Sequence, residues 1–359
     1  MNPVTAINNR YQVFYKKFRA LYRTFSNRKW AIRHSTGKTL TAAQKKEIKD
    51  FYRPYHSVST LFHEYYTEKT GVYSVNYLPN DLYINYIDSF YNDAKKAVVL
   101  ENKCYFQKMF PDVKQPEMVC YRMNRFWYVP SGERVGFAEI EKAVAAEKTV
   151  VVKQAAGSSG GHAVSFLDNN SEHYLTDFAS TVAAIPDDIV VQRPIMQHEK
   201  LSALNSSSVN SLRIVSLLRK DDVKVYSVVL RMGVAGMRVD NESSGGINCG
   251  VREDGTLRSE AHIKETGKSY RSHPSSGVVF EGYAIPSFDR VIDTVKRMHP
   301  QIPHFRLVSW DFTVDEAGDP VFIEANLNCG GLHINQINNG PLFGEDTKQI
   351  LDEVFHKSN

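Results

Sequence analysis

Apolar and polar positions alternate most regularly near the C-terminal end, from Leu307 to Asn328, where the chain reads LVSWDFTVDEAGDPVFIEANLN. Two apolar-rich runs flank the turn-forming residues Asp315, Glu316, Ala317, Gly318, Asp319 and Pro320, so the stretch predicts a β-hairpin. Side chains alternate between faces along a strand. Ser309, Asp311 and Thr313 therefore share one face of the first run, and Val308, Trp310, Phe312 and Val314 the other. In the second run Glu324 and Asn326 oppose Val321, Ile323 and Ala325. Pairing the runs brings Asp311, Glu324 and Asn326 to one polar surface over an apolar one.

Elsewhere the period changes. Tyr11, Phe14, Phe18, Leu21, Tyr22 and Phe25 recur at helical spacing among Lys16, Lys17, Arg19 and Arg23, which predicts a basic amphipathic helix. Further helix is expected around Thr41–Tyr52 and Asn80–Val98. After Glu101 come a predicted strand, Met118–Val129, a helix, Phe137–Glu147, and the β-branched strand Thr149–Lys153. The pattern continues with a strand at Ala163–Leu167, a helix at Ser171–Ala184 and a run from Ile189 that Pro194 turns into a linker. His198–Ser208 reads as a long loop. Leu212–Arg219 and Val223–Arg231 read as a second hairpin about Lys220, Asp221 and Asp222. Gly233–Gly250 is expected to be a substrate loop, Glu253–Ser276 irregular, and Pro286–His299 a helix capped by Ser287. Asn328–Gln336 reads as a polar loop and Gly344–His356 as a closing helix.

Composition narrows the class. With 359 residues, 42% hydrophobic and 23% charged, the chain can bury a large core in two or three domains or subdomains. The net charge of +4 is mild but uneven, because no Asp or Glu precedes Glu47 while Arg10, Lys16, Lys17, Arg19, Arg23, Arg28, Lys29, Arg33 and Lys38 do. That asymmetry suits either an anionic membrane surface or polymer, or a solvated helix packed on its own domain. Cys104, Cys120, Cys249 and Cys329 are scattered without a CxxC pair, which points to reduced thiols in the cytoplasm. No apolar run is long enough to span a bilayer, and no RRM- or OB-type signature suggests nucleic acid.

The candidate chemistry is that of polyphosphates. Asp311, Glu324 and Asn326 are hard oxygen donors suited to Mg²⁺ or Mn²⁺, especially where nucleotide phosphates complete the octahedron. Lys153 ends an otherwise apolar strand and needs an anionic partner if it points inward. Ser158, Ser159, Gly160, Gly161 and His162 follow it in a Gly/Ser loop that can offer backbone N–H groups to phosphate, without being a Walker loop or a GxGxxG motif. Antiparallel pairing brings Arg213 and Arg231 to the same end of the second hairpin, where two guanidinium groups imply a shared anion or intervening carboxylates.

The order of these pieces resembles the ATP-grasp superfamily. Lys103 is followed fifty residues later by Lys153, then by the Gly/Ser loop, the hinge, the arginine hairpin, and Asp followed by Glu-x-Asn, from Lys103 to Gln336. Ser208 to Arg213, Asp240-Asn241 with Gly245-Gly246, and Trp310-Asp311 look most like the branch associated with sugar transfer and surface-polysaccharide synthesis. The resemblance implies an α+β fold, two subdomains clasping ATP, preceded by a mainly helical region: residues 1–100, then a lid subdomain over 101–192 and a C-terminal subdomain over 193–359. It implies that Lys103 and Lys153 hold ATP phosphates under the Ser158–His162 lid, and that the backbone of Gln192, Arg193 and Ile195 recognises adenine, with His198 or Glu199 near the ribose. Members often carry Glu at that hinge, where this chain has Gln192-Arg193. Asp311, Glu324 and Asn326 would hold two Mg²⁺ ions, and Arg213 and Arg231 would stabilise the transferring phosphoryl group. Asn210, Asn241, Gly245, Gly246, Asn328 and Gln336 would line the substrate pocket.

The expected activity is an ADP-forming carboxylate–amine ligase working through an acyl phosphate on a sugar acid or amino acid of a bacterial surface polymer. The alternatives are a kinase-like phosphotransferase of the same fold and a non-catalytic nucleotide- or polyanion-binding module. The expected partners are a small-molecule or glycan carboxylate and an amine in the cytoplasm, with the basic N-terminal helix as the candidate contact to an anionic polymer or the inner membrane face. Oligomeric state is left open.

Overall fold

Every strand pair in the described parts of the computed structural model is antiparallel. Those parts are residues 21–22, 24–157, 164–234, 236–237, 245–263, 268–328 and 330–356. The chain forms two compact units, Asn92–Gly330 and Met1–Tyr91 with Gly331–Asn359. The closing stretch from Gly331, which sequence reasoning grouped with the C-terminal subdomain, thus joins the N-terminal residues.

The unit Asn92–Gly330 holds two sheets. The six-stranded one runs in the order β3-β2-β1-β6-β4-β5, where β1 is Met118–Met123, β2 Phe126–Tyr128, β3 Arg134–Val135, β4 Thr149–Gln154, β5 Val164–Asp168 and β6 Ile189–Gln192. The expected single strand Met118–Val129 is instead a tight hairpin. Asn124 and Arg125 turn it at φ 46 and 70, and the Asn124 N–H donates to Asp188 Oδ1 at 2.9 Å. No glycine marks that turn; asparagine tolerates the left-handed conformation because its short side chain crowds it least. Helices Phe137–Ala145 and Tyr174–Ala184 supply Ile140, Val144, Phe178 and Val182 to one face, against Val150, Val152, Ile189 and Val191.

The seven-stranded sheet runs β11-β10-β9-β8-β7-β12-β13, with β7 Ser211–Leu218, β8 Val223–Met232, β9 Ile247–Val251, β10 Leu257–His262, β11 Ser269–Tyr270, β12 Leu307–Val314 and β13 Pro320–Asn326. Both expected hairpins are present. The end of the expected substrate loop is instead the buried strand β9, and the stretch expected to be irregular supplies β10 and β11. His198–Ser208 likewise contains the helix Glu199–Leu204. One face of this sheet is apolar: Leu212, Ile214, Leu230, Trp310, Phe312 and Phe322 pack there with Val291 and Val295 of the helix Phe288–Met298. Ser287, at the start of that helix, makes no side-chain cap; it sits at φ 49. Beneath the sheet the Trp310 indole donates to Ser216 Oγ at 2.8 Å, Ser216 bonds His299 Nδ1 at 2.8 Å and His299 Nε2 bonds the Phe305 carbonyl at 2.9 Å. Every member of that buried polar chain is satisfied, which low-dielectric surroundings demand.

The second unit is helical. Thr41 and Gln44 cap the helix Ala42–Tyr52 reciprocally, as a capping box does. The aromatic residues Phe62, Tyr65, Tyr66 and Tyr77 form its core with Ala31 and Ile337. The helix expected over Asn80–Val98 is broken. Asn80–Leu82, a π-turn Tyr83–Asp88 and Ser89–Tyr91 end the first piece, and Ala94–Leu100 begins anew with Asp93 as its N-cap. Between them the Asn92 amide donates to the Leu307 carbonyl (2.7 Å) and accepts from the Leu307 N–H (3.1 Å). That side chain acts as a strand's backbone would, so helical spacing alone could not foresee the break.

Candidate active site

The polar face of the seven-stranded sheet carries the chemistry. On β7 and β8, Ser211 lies opposite Arg231 and Arg213 opposite Val229, so both arginines project from one face. Asp311 on β12 lies opposite Arg213 on one side and Glu324 of β13 on the other, while Ser309 faces Asn326. A bulge between Asp311 and Phe312 shifts the register, so that Phe322 rather than the expected Ile323 joins Ala325 on the core side, and Val321, expected there too, stands opposite Thr313. On the far flank, Asn248 of β9, buried, stands opposite Arg231.

The row is charge-compensated. Asp311, buried, receives Arg213 Nη2 on Oδ2 at 2.9 Å, Arg213 Nε on Oδ1, and Arg231 Nη1 on Oδ2 at 3.2 Å. Lys103 Nζ pairs with Glu324 Oε2 at 2.8 Å. Glu101, which sequence reasoning did not single out, accepts the Leu327 N–H at 2.7 Å and so ties the segment carrying Lys103 to the end of β13. Burial pushes the Glu101 carboxyl up. Burial also pushes Asp311 up, against its arginines. At Glu324 burial acts the same way but is outweighed by Lys103, then Arg213 and Arg231, and the carboxyl is held down at about 2.

Two further residues of the site were given no role by the sequence, although alternation put Ser309 on the Asp311 face. Ser309, buried, donates from Oγ to the Gly330 carbonyl at 2.9 Å. A Cβ on Gly330 would meet that Oγ at 2.1 Å, so only glycine fits there.

The lysines share a neighbourhood. The Lys103 N–H donates to the Ala155 carbonyl at 2.9 Å, two residues past Lys153. Lys153 lies opposite Val190, whose side chain packs with Ala155 and with Cys104, the residue after Lys103. Gln192, buried, lies opposite Val151 on that same face. Ser158, Ser159, Gly160, Gly161 and His162 lie outside the described residues, as does Asn241. Gly245 is described at φ +88, and Gly246 is buried just before β9. Asn328 is exposed beside Leu327.

Several other candidates are drawn elsewhere. The Arg193 guanidinium is spent on Glu147, through two bonds of 2.8 Å, and on Glu117, and its N–H donates to the Glu117 carbonyl at 2.9 Å. That N–H is therefore taken by backbone, which removes it from adenine recognition. Ile195 is half-buried in the same linker. His198 does not point to a ribose role: its Nδ1 accepts from Lys200 N at 3.1 Å as the cap of Glu199–Leu204, and its N–H donates to the Val314 carbonyl. Asn210 is fully buried, its amide donating to Gln197 Oε1 and to the carbonyls of Leu201 and Asn205 at 2.8–3.1 Å. Those bonds of its amide nitrogen serve the fold. Gln336, also fully buried, clamps Leu78, accepting its N–H at 3.0 Å and donating to its carbonyl at 3.1 Å. It belongs to the helix Leu332–Asn339, where a loop was expected.

Among the described residues no group of three His, Cys, Asp or Glu side chains could hold a metal. Asp311 and Glu324 stand side by side, and Asn326 donates from Nδ2 to the Ser309 carbonyl at 3.3 Å, leaving its oxygen as the end for a cation. Two carboxylates and an amide oxygen suit a hard cation that keeps other ligands. Their pairing with Lys103, Arg213 and Arg231 means that such a cation fits together with an anion able to draw those groups away.

The sequence matches the family described as sugar-transfer associated ATP-grasp over residues 82–351. No curated protein matches it. Solved structures resemble it distantly. The VanG D-Ala:D-Ser ligase of Enterococcus faecalis is 12% identical, with 72% of this chain and 62% of that one covered and a TM-score of 0.44. The D-alanine–D-alanine ligase of Bacillus anthracis complexed with ATP is 14% identical, over 72% and 65%, with a TM-score of 0.41. For the L-amino acid ligase of Bacillus licheniformis the identity is 12%, over 70% of this chain and 48% of that one, with a TM-score of 0.38. The chain thus spans about half the length of the last of these.

Proposed function

The chain belongs to the sugar-transfer associated ATP-grasp family, and on that premise we propose that it is an ATP-dependent carboxylate–amine ligase acting on a sugar acid or amino acid of a bacterial surface polysaccharide. One observation carries the reading: Arg231, Arg213, Asp311, Glu324 and Lys103 form a continuous row of paired charges across one sheet face. A purely structural sheet has no use for so many charges beside a buried face, since each must be desolvated.

The chemistry follows from the residue types. A carboxylate resists an amine because its oxygen is a poor leaving group. In the first step a substrate carboxylate oxygen attacks the γ-phosphorus of ATP, ADP departs, and an acyl phosphate forms. In the second, the amine nitrogen attacks the acyl carbon, inorganic phosphate departs, and the amine's proton passes to solvent. Phosphoryl transfer needs positioning and charge neutralisation more than a protein nucleophile. Lys103 and Lys153 are the cations for the phosphates. Arg213 and Arg231 are those for the phosphoryl group in flight and for the later oxyanion. Asp311, Glu324 and Asn326 would hold Mg²⁺ or Mn²⁺, which supplies charge neutralisation and polarises phosphoryl oxygens.

The test is a phosphate-release screen of sugar acids and amino acids, each with an amine and MgATP. A ligase yields ADP, inorganic phosphate and an amide. A phosphorylated product without phosphate release would instead assign the phosphotransferase, and no ADP with any acceptor would point to a binding module.

A further inference from the structure

Away from that site, the helical residues 21–22 and 24–34 carry an exposed apolar strip. One side of it is docked: Ala31 is buried, Trp30 meets Tyr65 edge-on at 4.9 Å, Arg28 pairs with Asp81 at 3.3 Å, and Thr24 Oγ1 accepts from Asn85 at 3.2 Å. The other side exposes Leu21 by 69%, Phe25 by 67% and Ile32 by 60%, with Tyr22 at 66%. Spacings of four and seven residues place Leu21, Phe25 and Ile32 on one line of a helix. Lys29 and Arg33, both exposed, run beside that line. The first acidic residue of the chain is Glu47, so no carboxylate in this stretch offsets them. Of the expected basic helix from Tyr11 to Phe25, residues 11–20 and 23 lie outside the described residues.

We infer that this helix is an interfacial anchor for an anionic lipid surface. The strip enters among the headgroups, and Lys29 and Arg33 meet lipid phosphates. Apolar and cationic requirements are then met by one partner. A second copy of the chain would bring like charges together. A nucleic acid or acidic glycan would satisfy the cations and leave the strip in water. Three apolar side chains give weak, reversible binding that salt reduces. Among the described residues no helix is long and apolar enough to cross a membrane, so the contact is one of lying on the surface.

The experiment is co-sedimentation of the full chain with vesicles of phosphatidylcholine alone or mixed with phosphatidylglycerol. Binding is expected only to the mixed vesicles, with about a tenfold loss in high salt. Phe25→Ser with Ile32→Ser and, separately, Lys29→Glu with Arg33→Glu should each lower binding by about tenfold. Their melting curves should match the parent, since all four side chains are exposed. Absence of binding to the mixed vesicles overturns the inference. So does binding lost in the charge variant but kept in the apolar one, which would assign a soluble polyanion. A concentration-dependent dimer abolished by the apolar variant would assign the strip to a second copy, and overturn it equally. None of these readouts uses ATP.

Discussion

Arg213 stands directly across the β-ladder from Asp311 and holds both of its carboxylate oxygens, with Nη2 at 2.9 Å from Oδ2 and Nε on Oδ1. Arg231 adds a third bond to the same group at 3.2 Å. Asp311 is thus the anion that the buried Arg231 and the half-buried Arg213 share, whatever its role toward a metal.

Asp311→Ala should therefore damage the fold as well as the chemistry. Removing one partner of a buried ion pair costs about 3–5 kcal/mol, because the charge left behind is uncompensated. Urea denaturation should show that loss, and Arg213→Met in the same chain should restore part of it. Unchanged stability in Asp311→Ala would mean that water reaches the arginines.

Glu324→Gln separates the two effects. Glu324 is half-buried and answers one lysine at 2.8 Å, so the fold should persist. Loss of an electrostatic contact to the transferring group costs about 3 kcal/mol of barrier, roughly a hundredfold in kcat. Steady-state kinetics beside a thermal melt reads both.

Metal affinity should depend on nucleotide. With Lys103, Arg213 and Arg231 on the carboxylates, Mn²⁺ alone should bind poorly, and adding ADP should strengthen it by drawing the cations to phosphate. Electron paramagnetic resonance of Mn²⁺ measures this without turnover. Lys103→Met should raise affinity for Mn²⁺ alone while weakening that for ADP.

Acid should weaken the fold well before the carboxylates titrate. Burial lowers the His299 pKa to about 4, against its ordinary value of 6.5. Between these values the unfolded chain binds the extra proton, so stability is complete above about pH 6.5 and falls as pH drops toward 4. The loss reaches about 3 kcal/mol for that group. His63, lowered to about 4 for the same reason in the helical unit, acts in the same direction there. His299→Gln should flatten the pH dependence of denaturant midpoints between pH 4 and 7.

Asn210→Ala and Gln336→Ala should behave as stability variants. Gln336→Ala strands the Leu78 carbonyl and N–H that the amide now satisfies, at about 1–3 kcal/mol per group, while Asn210→Ala takes one of two donors from each of the Leu201 and Asn205 carbonyls and costs less. Melting temperature should drop while KM for the acceptor stays put. A selective rise in KM without loss of stability would return either residue to the substrate pocket.

The two hairpins were legible because period-two alternation and turn residues are local signals. The polar faces followed, and with them the shared surface of Asp311, Glu324 and Asn326 and the common end of Arg213 and Arg231; the bulge that exchanges Ile323 for Phe322 on the core side did not. The strand β9 was not legible, because its asparagine and glycine read as loop whether or not they pair; the helix Glu199–Leu204 is too short to show a period, and no glycine marks the turn at Asn124 and Arg125. The chemistry of Gln336 misled in the same way: a polar side chain in a polar stretch looks like a ligand group until burial shows it holding Leu78.

Sequence patterning alone specified which side chains share a face along an unbroken run of strand, such as Ser309, Asp311 and Thr313, since that depends only on alternation along neighbouring residues; the bulge that puts Phe322 on the core side it did not specify. Tertiary structure decided which faces meet. Arg213 and Asp311 are 98 positions apart, and the pairing of β7 with β12 that joins them is chosen by burial of Leu212, Ile214, Trp310 and Phe312 on the reverse side. A register slip of one residue would turn that apolar set to solvent, and so the core, through its fit, sets where the charges stand.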